Sequence, residues 1–549
     1  MARSRIIVGT ICVVGWLIQP SWGQQSAPVV DSGDTSSAAT KTNLPTVDQR
    51  ISGQFSASSY AQVAPVSHET GSPVCCGTEA ACGGCGNESA CACDGCCDEA
   101  CWFGDLLSMG DHFKDMPLGC CGNSCCSDCC DPLTLSFGGS LRYRYMNEAN
   151  RLRPMGDVNP TTYDLWRWTN YLELNRGDDF SVFVEMIDAS IFNEDLPRLP
   201  IDENRTDILR AYVDLKIGER DGNPVRLRVG RQFLKYGSQH LVSPLPWANT
   251  IRNWDGLTLS SQGVTWDFDA FTTRPANWAT SGTGKYPTSR DKADESQTFS
   301  GVYTSYHPGE SSALDAYWFW LREQEPLTNR MDGSRHTVGL RYWGSHPVAC
   351  CCGDVARTWA WDIEGGYQFG HDNDLAGVEQ NVSAGFFSAI LGHTWNQATW
   401  TPTFKGLFWW GSGDNDPTGG DINTIDTLFP FGHAYWGLVD NFGGENLIDY
   451  SIEASVKPTD KLTLLSAMHW FNLAEGGDRV YNIAGAPLGT GSTGSNLGQE
   501  FDVVGTYAVN KNLNVQAGYF WFWYGGAINN GSLARGDART AYLQTVLTY

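Results

Sequence analysis

The sequence predicts an all-β fold: a transmembrane antiparallel up-and-down β-barrel of about 18 strands, preceded by a Cys-rich N-terminal segment. Three observations predict this fold. From residue 132 onward, apolar and polar residues alternate with a period of two in runs of roughly nine to twelve residues, and transmembrane strands need about 9–11 residues. The links between these runs are alternately short and long. The last run ends the chain on an aromatic residue, Tyr549.

The composition argues against several other classes of protein. The mean hydropathy of −0.30 argues against a helical membrane protein. The formal charge of −24 argues against a nucleic-acid binder, because neutralising phosphates requires clustered Lys and Arg. The chain has 61 Gly, 22 Trp, 21 Tyr and 24 Phe but only 18% charged residues, which is typical of an aromatic-rich β protein and not of a disordered chain.

Residues 1–23 have the features of a secretory signal peptide. Arg3 and Arg5 precede an apolar run at residues 6–18, and small residues precede the predicted cleavage site. The alternative is a membrane anchor, but 13 residues are too few to cross about 30 Å of hydrocarbon at about 1.5 Å per residue. Export also implies that the cysteines enter an oxidising compartment.

Two segments separate the signal peptide from the barrel. Residues 24–74 are rich in Ser, Ala, Thr, Gln and Pro and are predicted to be a flexible linker, because they have few apolar residues to bury. Residues 75–131 form a Cys-rich module with 15 cysteines. Its Cys-x-x-Cys pairs would suit zinc in a cytosolic protein, but export favours disulfides. The disulfide candidates are Cys75, Cys82, Cys85, Cys93, Cys96, Cys126, Cys129, Cys350, Cys351 and Cys352.

The last three of these cysteines lie in the predicted connection between strands ten and eleven. The up-and-down strand count places this connection, like the Cys-rich module before strand one, on the periplasmic side. The 15 module cysteines and the three turn cysteines make an even number, 18. We therefore hypothesise a disulfide that ties the module to the barrel, so that the module covers or partly plugs the periplasmic mouth.

Residues 132–549 are predicted to form the barrel itself. At residues 133–145, for example, apolar residues alternate with small, polar or cationic ones. Hydrocarbon cannot satisfy backbone N–H and C=O groups, so the strands must close, with the apolar face toward outer-membrane lipid and the polar face toward a water-filled lumen. Short turns on one side and longer loops on the other are typical of outer-membrane barrels. The terminal aromatic residue suits recognition by the periplasmic assembly machinery.

One stretch of the chain resembles a known family. Residues 231–244 read RQFLKYGSQHLVSP, followed by WANT at 247–250 and DG at 255–256. This stretch is similar to the signature of the alginate export family. The resemblance covers about residues 132–549. It implies an eighteen-stranded outer-membrane barrel that passes an anionic polysaccharide through an arginine-rich lumen.

Arginine suits such a lumen because its planar guanidinium binds a carboxylate through two hydrogen bonds and stays charged. The alternative for each arginine is a structural ion pair with an inward acid, for which the candidates are Glu173, Glu185 and Asp214. Arg231 is out of phase with Arg226 and Arg228, so either a bulge at Gly230 turns it inward or the strand has ended. The predicted lumen residues for an anionic solute are Arg142, Arg144, Arg167, Arg210, Arg226, Arg228, Arg231, Arg335 and Arg341.

Inward acids favour a different function for the same barrel. They lie mostly on later strands and are Asp267, Asp269, Asp362, Glu364, Asp449, Glu453, Glu500 and Asp502. A lumen with one basic and one acidic wall is common among general diffusion porins. A general porin of mixed charge is therefore the alternative to an anion conduit.

The long loop at residues 234–253 is predicted to fold inward and narrow the pore, with a surface loop as the alternative. Its candidate constriction residues are Lys235, His240 and Trp247. A second loop at 411–445 carries closely spaced acids that could bind calcium through their oxygens. Acidic loops of this kind are usually turns, so we predict no metal.

Two other classes of protein are alternatives to a channel: an extracellular carbohydrate-active enzyme and a structural envelope protein. Asp362 and Glu364 could act as an acid and a base, but they are two residues apart on one strand and the nearby aromatics point to the opposite face. Motifs for a serine nucleophile, a zinc protease or a phosphate loop are absent from the sequence. We predict an outer-membrane channel for anionic polysaccharide or small anionic solutes, with no enzymatic activity, cofactor or nucleic-acid partner.

Overall fold

The computed structural model describes residues 113–118, 133–153, 160–177, 179–277, 290–324, 333–350, 354–489 and 494–549. The predicted signal peptide and linker lie outside these residues, as does the Cys-rich module apart from residues 113–118. Cys350 lies within them, whereas Cys351 and Cys352 lie outside. The predicted disulfides therefore stay predictions.

The described residues contain eighteen long strands, and each pairs antiparallel with the next along the chain. The last strand pairs with the first, from Ser140 opposite Thr548 to Ala149 opposite Arg539, so the sheet closes. The predicted all-β barrel of about 18 strands is thus confirmed. The strands are β1 (Leu133–Ala149), β2 (Thr161–Arg176), β3 (Phe180–Phe192), β4 (Asn204–Arg220), β5 (Asn223–Gln232), β6 (Trp254–Ser261), β7 (Trp266–Asn277), β8 (Gln297–Gly309), β9 (Ser312–Glu323), β10 (Gly333–Ala349), β11 (Val355–Asn373), β12 (Glu379–Trp395), β13 (Thr403–Gly411), β14 (Leu447–Thr459), β15 (Leu462–Leu473), β16 (Asn496–Ala508), β17 (Leu513–Tyr524) and β18 (Ala538–Thr548).

Smaller elements lie in the connections. No helix in the described part of the chain is long and apolar enough to cross a bilayer. The short elements are the strands Met116–Pro117, Lys292–Ala293, Val480–Tyr481 and Pro487–Leu488, the 3-10 helix Gly432–Ala434 and the helix α1 (Gly526–Asn529).

The two faces of the strands differ as the alternation predicts. On β2, Trp166 and Trp168 are exposed on the outside, whereas Arg167 and Thr169 between and beyond them are buried. On β11, the exposed side chains include Trp359, Ile363, Tyr367 and Phe369, and the buried ones are Asp362, Glu364 and Gln368. Because successive side chains of a strand point to opposite faces, the apolar residues face lipid and the polar residues face the lumen.

The connections differ in length between the two rims. Turns such as residues 221–222 and 310–311 lie on one rim, and the long loops 233–253 and 412–446 lie on the other. The five residues 374–378 between β11 and β12 form a short link on the long-loop rim. Cys350 lies between β10 and β11 on the short-turn rim, where its Sγ accepts a hydrogen bond from Gln397 Nε2 at 3.6 Å.

Residues 113–118 lie along an edge of β1 that β18 does not reach. Met116 pairs with Leu135 of β1. The backbone of Tyr549, directly after β18, exchanges hydrogen bonds of 2.9 and 3.0 Å with Gly139. Residues 113–118, which lie between the two groups of cysteines in the predicted module, thus pair with β1 next to its junction with the last strand, on the short-turn rim.

Gly230 of β5 is a position where only glycine fits. Its φ is +130°, and a Cβ there would lie 2.2 Å from the carbonyl oxygen of Ala211 on β4.

We expect Gly230→Ala to lower the free energy of unfolding by about 1–3 kcal/mol through backbone strain. Gly406→Ala on β13 is the matched control, because its Cβ would meet no atom within 4 Å. Urea titrations followed by heat-shifted gel migration test this; equal midpoints for the two variants would contradict it.

Candidate functional site

Two loops from the long-loop rim turn into the barrel and pair with each other. Inner loop 1 (residues 233–253) joins β5 to β6, and inner loop 2 (residues 412–446) joins β13 to β14. Val242 and Phe429 form a parallel bridge, and Ser243 N donates to Phe429 O at 2.8 Å. Val242 is completely buried. The structure therefore places inner loop 1 within the lumen, and it adds inner loop 2, whose inward course the sequence analysis did not predict.

Three arginines of the wall hold inner loop 1 by its backbone carbonyls. We name Arg142, Arg144 and Arg167, from β1 and β2, the arginine cluster. Among the described residues, no carboxylate lies within ion-pair distance of the cluster. The loop acceptors are Trp247 O for Arg142 (3.1 Å) and Arg144 (2.9 Å), Ala248 O for Arg142 (2.8 Å) and Arg167 (2.9 Å), Pro246 O for Arg142 (3.2 Å) and Arg167 (3.1 Å), and Asn249 Oδ1 for Arg142 (3.1 Å).

Trp247 connects the two inner loops to the wall. The Arg144 guanidinium lies 3.4 Å from its ring centroid, within the range of a cation–π interaction. The His433 ring of inner loop 2 stacks on it at 3.8 Å. His433 Nδ1 lies 2.9 Å from Asp440 Oδ1, yet burial lowers the pKa of His433, so the stacked imidazole is neutral at pH 7.

Most of the other predicted lumen arginines form ion pairs with acids. This is the structural alternative considered for each arginine, and Glu185 and Asp214 were among its candidates; Glu173 instead accepts a hydrogen bond from Ser181. The pairs are Arg210 with Glu185 (2.6 Å), Arg226 with Asp214 (3.2 Å), Arg228 with Asp214 (2.6 Å), Arg335 with Asp372 (3.0 Å), and Arg341 with Asp362 (2.9 Å) and Asp315 (3.0 Å).

Arg231 lies on the opposite face of β5 from Arg226 and Arg228. The register between β4 and β5 has no shift at Gly230, so no bulge turns Arg231 inward, and the strand continues through Gln232. Neither expected alternative holds, because a glycine with positive φ fits in the strand without an extra residue. Arg231 instead binds Asp255, its cross-strand neighbour on β6, at 2.7 Å.

Inner loop 1 reaches the far wall through side chains that bind β11. His240 Nδ1 lies 2.7 Å from Glu364 Oε2, and Ser238 donates a hydrogen bond to Asp362. Both acids thus have partners that fix the loop. Lys235 is exposed, so the three predicted constriction residues are not brought together: His240 and Trp247 lie in the buried part of the loop and Lys235 does not.

The predicted acidic wall is present on the later strands. Asp449 of β14 binds His469 Nδ1 at 2.7 Å, and Glu453 binds Lys405 at 2.7 Å. Glu500 and Asp502 of β16 are fully buried. The lumen arginines therefore lie mostly on β1 to β5, with Arg335 and Arg341 on β10, and the acids lie mostly on β7 to β16.

The acidic part of inner loop 2 forms turns. Asp414 Oδ1 accepts from Asp416 N at 2.9 Å and its Oδ2 accepts from Asn423 N at 3.0 Å. Within the described ranges, no group of three or more His, Cys, Asp and Glu side chains has the arrangement of a metal site.

The apolar content of inner loop 2 was a sequence signal for its inward course, because a surface loop would expose these side chains to water. They are Phe429, Phe431, Tyr435, Trp436 and Phe442.

Glu445 is a buried acid at the base of inner loop 2. Its Oε1 accepts hydrogen bonds from the backbone N–H and the hydroxyl of Thr427, while Oε2 has no hydrogen-bond partner within the described structure. Burial raises the pKa of Glu445 to about 7. The packed loop is therefore most stable when the Glu445 carboxyl group is protonated.

We expect the packing of inner loop 2 to weaken as pH rises. The packed loop binds more protons than a solvated loop, whose glutamate titrates near 4.5, so stability falls between about pH 4.5 and pH 7 and stays low above. Protease cleavage of the loop should therefore be faster at pH 8 than at pH 5. Glu445→Gln should abolish the difference and Asp416→Asn should retain it. A pH dependence that persists in Glu445→Gln would assign the effect to another group.

Comparisons with known proteins agree with this architecture. The family model described as "Alginate export" matches residues 133–542, and no curated protein sequence matches the chain. Similar solved structures include Pseudomonas aeruginosa OpdK (11% identity, 76% of this chain and 98% of that chain, TM-score 0.51), P. aeruginosa OpdQ (12%, 76% and 97%, 0.48) and Acinetobacter baumannii OccAB2 (11%, 75% and 98%, 0.47).

At such identities, the structural similarity establishes the barrel fold alone. The family match is broader evidence, because it covers nearly all of the barrel from β1 into β18. The protein is an outer-membrane transport channel and not an enzyme. The chain belongs to the alginate export family.

Proposed function

We propose that the barrel conducts anionic solutes, either an alginate-like polysaccharide or small carboxylated molecules, along the arginine cluster. The observation that carries this proposal is the absence of an acid within ion-pair distance of the cluster among the described residues. Three guanidiniums on neighbouring strands bind only neutral oxygens of inner loop 1 and a glutamine on β18. A cluster of arginines that is not ion-paired favours an anionic occupant.

A solute carboxylate would compete with the loop carbonyls for these arginines. A guanidinium binds a carboxylate through two parallel hydrogen bonds, and the two opposite charges attract each other, whereas a loop carbonyl carries no net charge. An entering anion therefore offsets the loss of the Arg142–Ala248 and Arg167–Ala248 contacts when inner loop 1 moves. In this proposal the loop is the constriction of the channel, and His240 and Trp247 are its anchoring residues.

The ion-paired arginines support the second candidate function, a general diffusion porin of mixed charge. Arg210, Arg228 and Arg341 each bind a carboxylate of the wall, so they present little net charge to a solute. The buried acids of β14 to β16 would then dominate the field in the lumen and favour cations.

The reversal potential in a planar bilayer under a salt gradient distinguishes the two functions. We expect anion-selective conductance that added polyuronate blocks. Arg142→Met should lower the anion selectivity by several-fold and weaken the block, because it removes one charge of the cluster. Arg198→Met, at a surface arginine paired with Glu194 and Glu203, is the matched control. Cation-selective or unselective conductance without block would contradict the anion conduit and favour the general porin.

We also propose that the Cys-rich module lies in the periplasm at the barrel mouth and is linked to it by a disulfide. Residues 113–118 and Cys350 lie on the same short-turn rim, which supports this position. A non-reducing peptide map of the full chain should contain a peptide that joins the module to residues 350–352. A map in which all module cysteines are free or paired among themselves would contradict the link.

A further inference from the structure

Two acids of β16 are buried in the lumen without full hydrogen bonding. Glu500 Oε1 accepts from Val439 N of inner loop 2 at 2.8 Å, but its Oε2 has no partner. Neither oxygen of Asp502 accepts a hydrogen bond of normal geometry, although Leu438 N–H lies nearby. Glu500 and Asp502 also lie within hydrogen-bond reach of each other. Buried polar groups are nearly always satisfied, so these three oxygens are satisfied either by a proton that the two acids share or by a bound cation.

A small cavity lies directly beside these acids. Asp502 lines it together with Ser451 of β14, His469 of β15 and the end of the 3-10 helix of inner loop 2. The Ser451 hydroxyl is also buried without a hydrogen-bond partner. A carboxylate and a hydroxyl oxygen from different strands therefore both border the cavity with unused acceptor capacity.

When Glu500 and Asp502 are both ionised, the groups around the cavity carry an excess of negative charge. His469 binds Asp449 through Nδ1, and its Nε2 lies 3.9 Å from Asp502. Lys405 binds Glu453. Even with a protonated His469, these two cations balance only part of the local acids, which are Asp449, Glu453, Glu500 and Asp502. A buried carboxylate without a counter-charge is costly, so a cation is favoured in the cavity.

We propose that Asp502, Glu500 and Ser451 form a binding subsite for a small monovalent cation, either an alkali ion or the ammonium group of a solute. Oxygen donors are the ligands that hard cations prefer. Glu500 contributes charge beside the cavity, whereas Asp502 and Ser451 line it. The subsite lies on β14 to β16 and the arginine cluster lies on β1 and β2, so the subsite does not rest on the anion conduit proposed above.

Anomalous diffraction from crystals of the full-length protein soaked in rubidium chloride tests the subsite. We expect an anomalous peak within coordination distance of Asp502 and Ser451. The peak should disappear in Asp502→Asn and remain in Asp267→Asn, a matched control at an inward acid that is paired with His307. If Asp502→Asn fails the heat-shifted migration assay for folding, loss of occupancy in Ser451→Ala provides the test instead.

Excess methylammonium distinguishes the two sources of the cation. Displacement of rubidium would identify an ammonium subsite, and retention of rubidium would identify an alkali subsite. The proposal is overturned if neither cation binds in the wild-type protein, including the case in which Glu500 and Asp502 share a proton instead. A rubidium peak that persists in folded Asp502→Asn would overturn it as well.

Discussion

The hydrogen bonding of the backbone is the constraint on which the rest of this structure depends. A strand surrounded by hydrocarbon must find all of its partners on neighbouring strands, and the pairing of β18 with β1 removes the last open edge. Once the sheet closes, its polar face has no route to bulk solvent except through the lumen. Most charged residues of the eighteen strands are therefore concentrated in one confined space, where each must be paired, hydrogen-bonded or neutralised.

The inner loops follow from the same confinement. A loop that enters the lumen brings its own unpaired carbonyls, and the arginine cluster satisfies those of Trp247 and Ala248. The opposite wall binds the same loop through acids, with Glu364 contacting His240. The position of inner loop 1 therefore depends on the charges of the two walls. The arginine cluster binds its residues 246–249, and the acids of β11 bind Ser238 and His240.

The sequence revealed those features that depend on near neighbours. Period-two alternation and the sorting of short and long links need only local spacing, and they predicted the barrel, its strand number and the position of Cys350. Pairing across the barrel is different, because Arg142 and Trp247 are 105 residues apart. The partners of the lumen arginines and the inward course of inner loop 2 depend on closure, so spacing along the chain could not reveal them. Arg231 is an intermediate case. Its position out of phase with Arg226 and Arg228 could be predicted from the sequence, but the positive φ of Gly230 within a continuous strand could not.

The short segment beside β1 has a consequence for the geometry of closure. β1 has 17 residues and β18 has 11. Without another partner on β1, β18 could therefore pair with it in a register that is shifted toward the short-turn rim. Met116, paired with Leu135, occupies the positions into which β18 would slide. A barrel's diameter and strand tilt depend on its shear, the total stagger accumulated around the sheet. The pairing of Met116 with β1 therefore favours the observed register of β18, which contributes to the shear and through it to the width of the lumen.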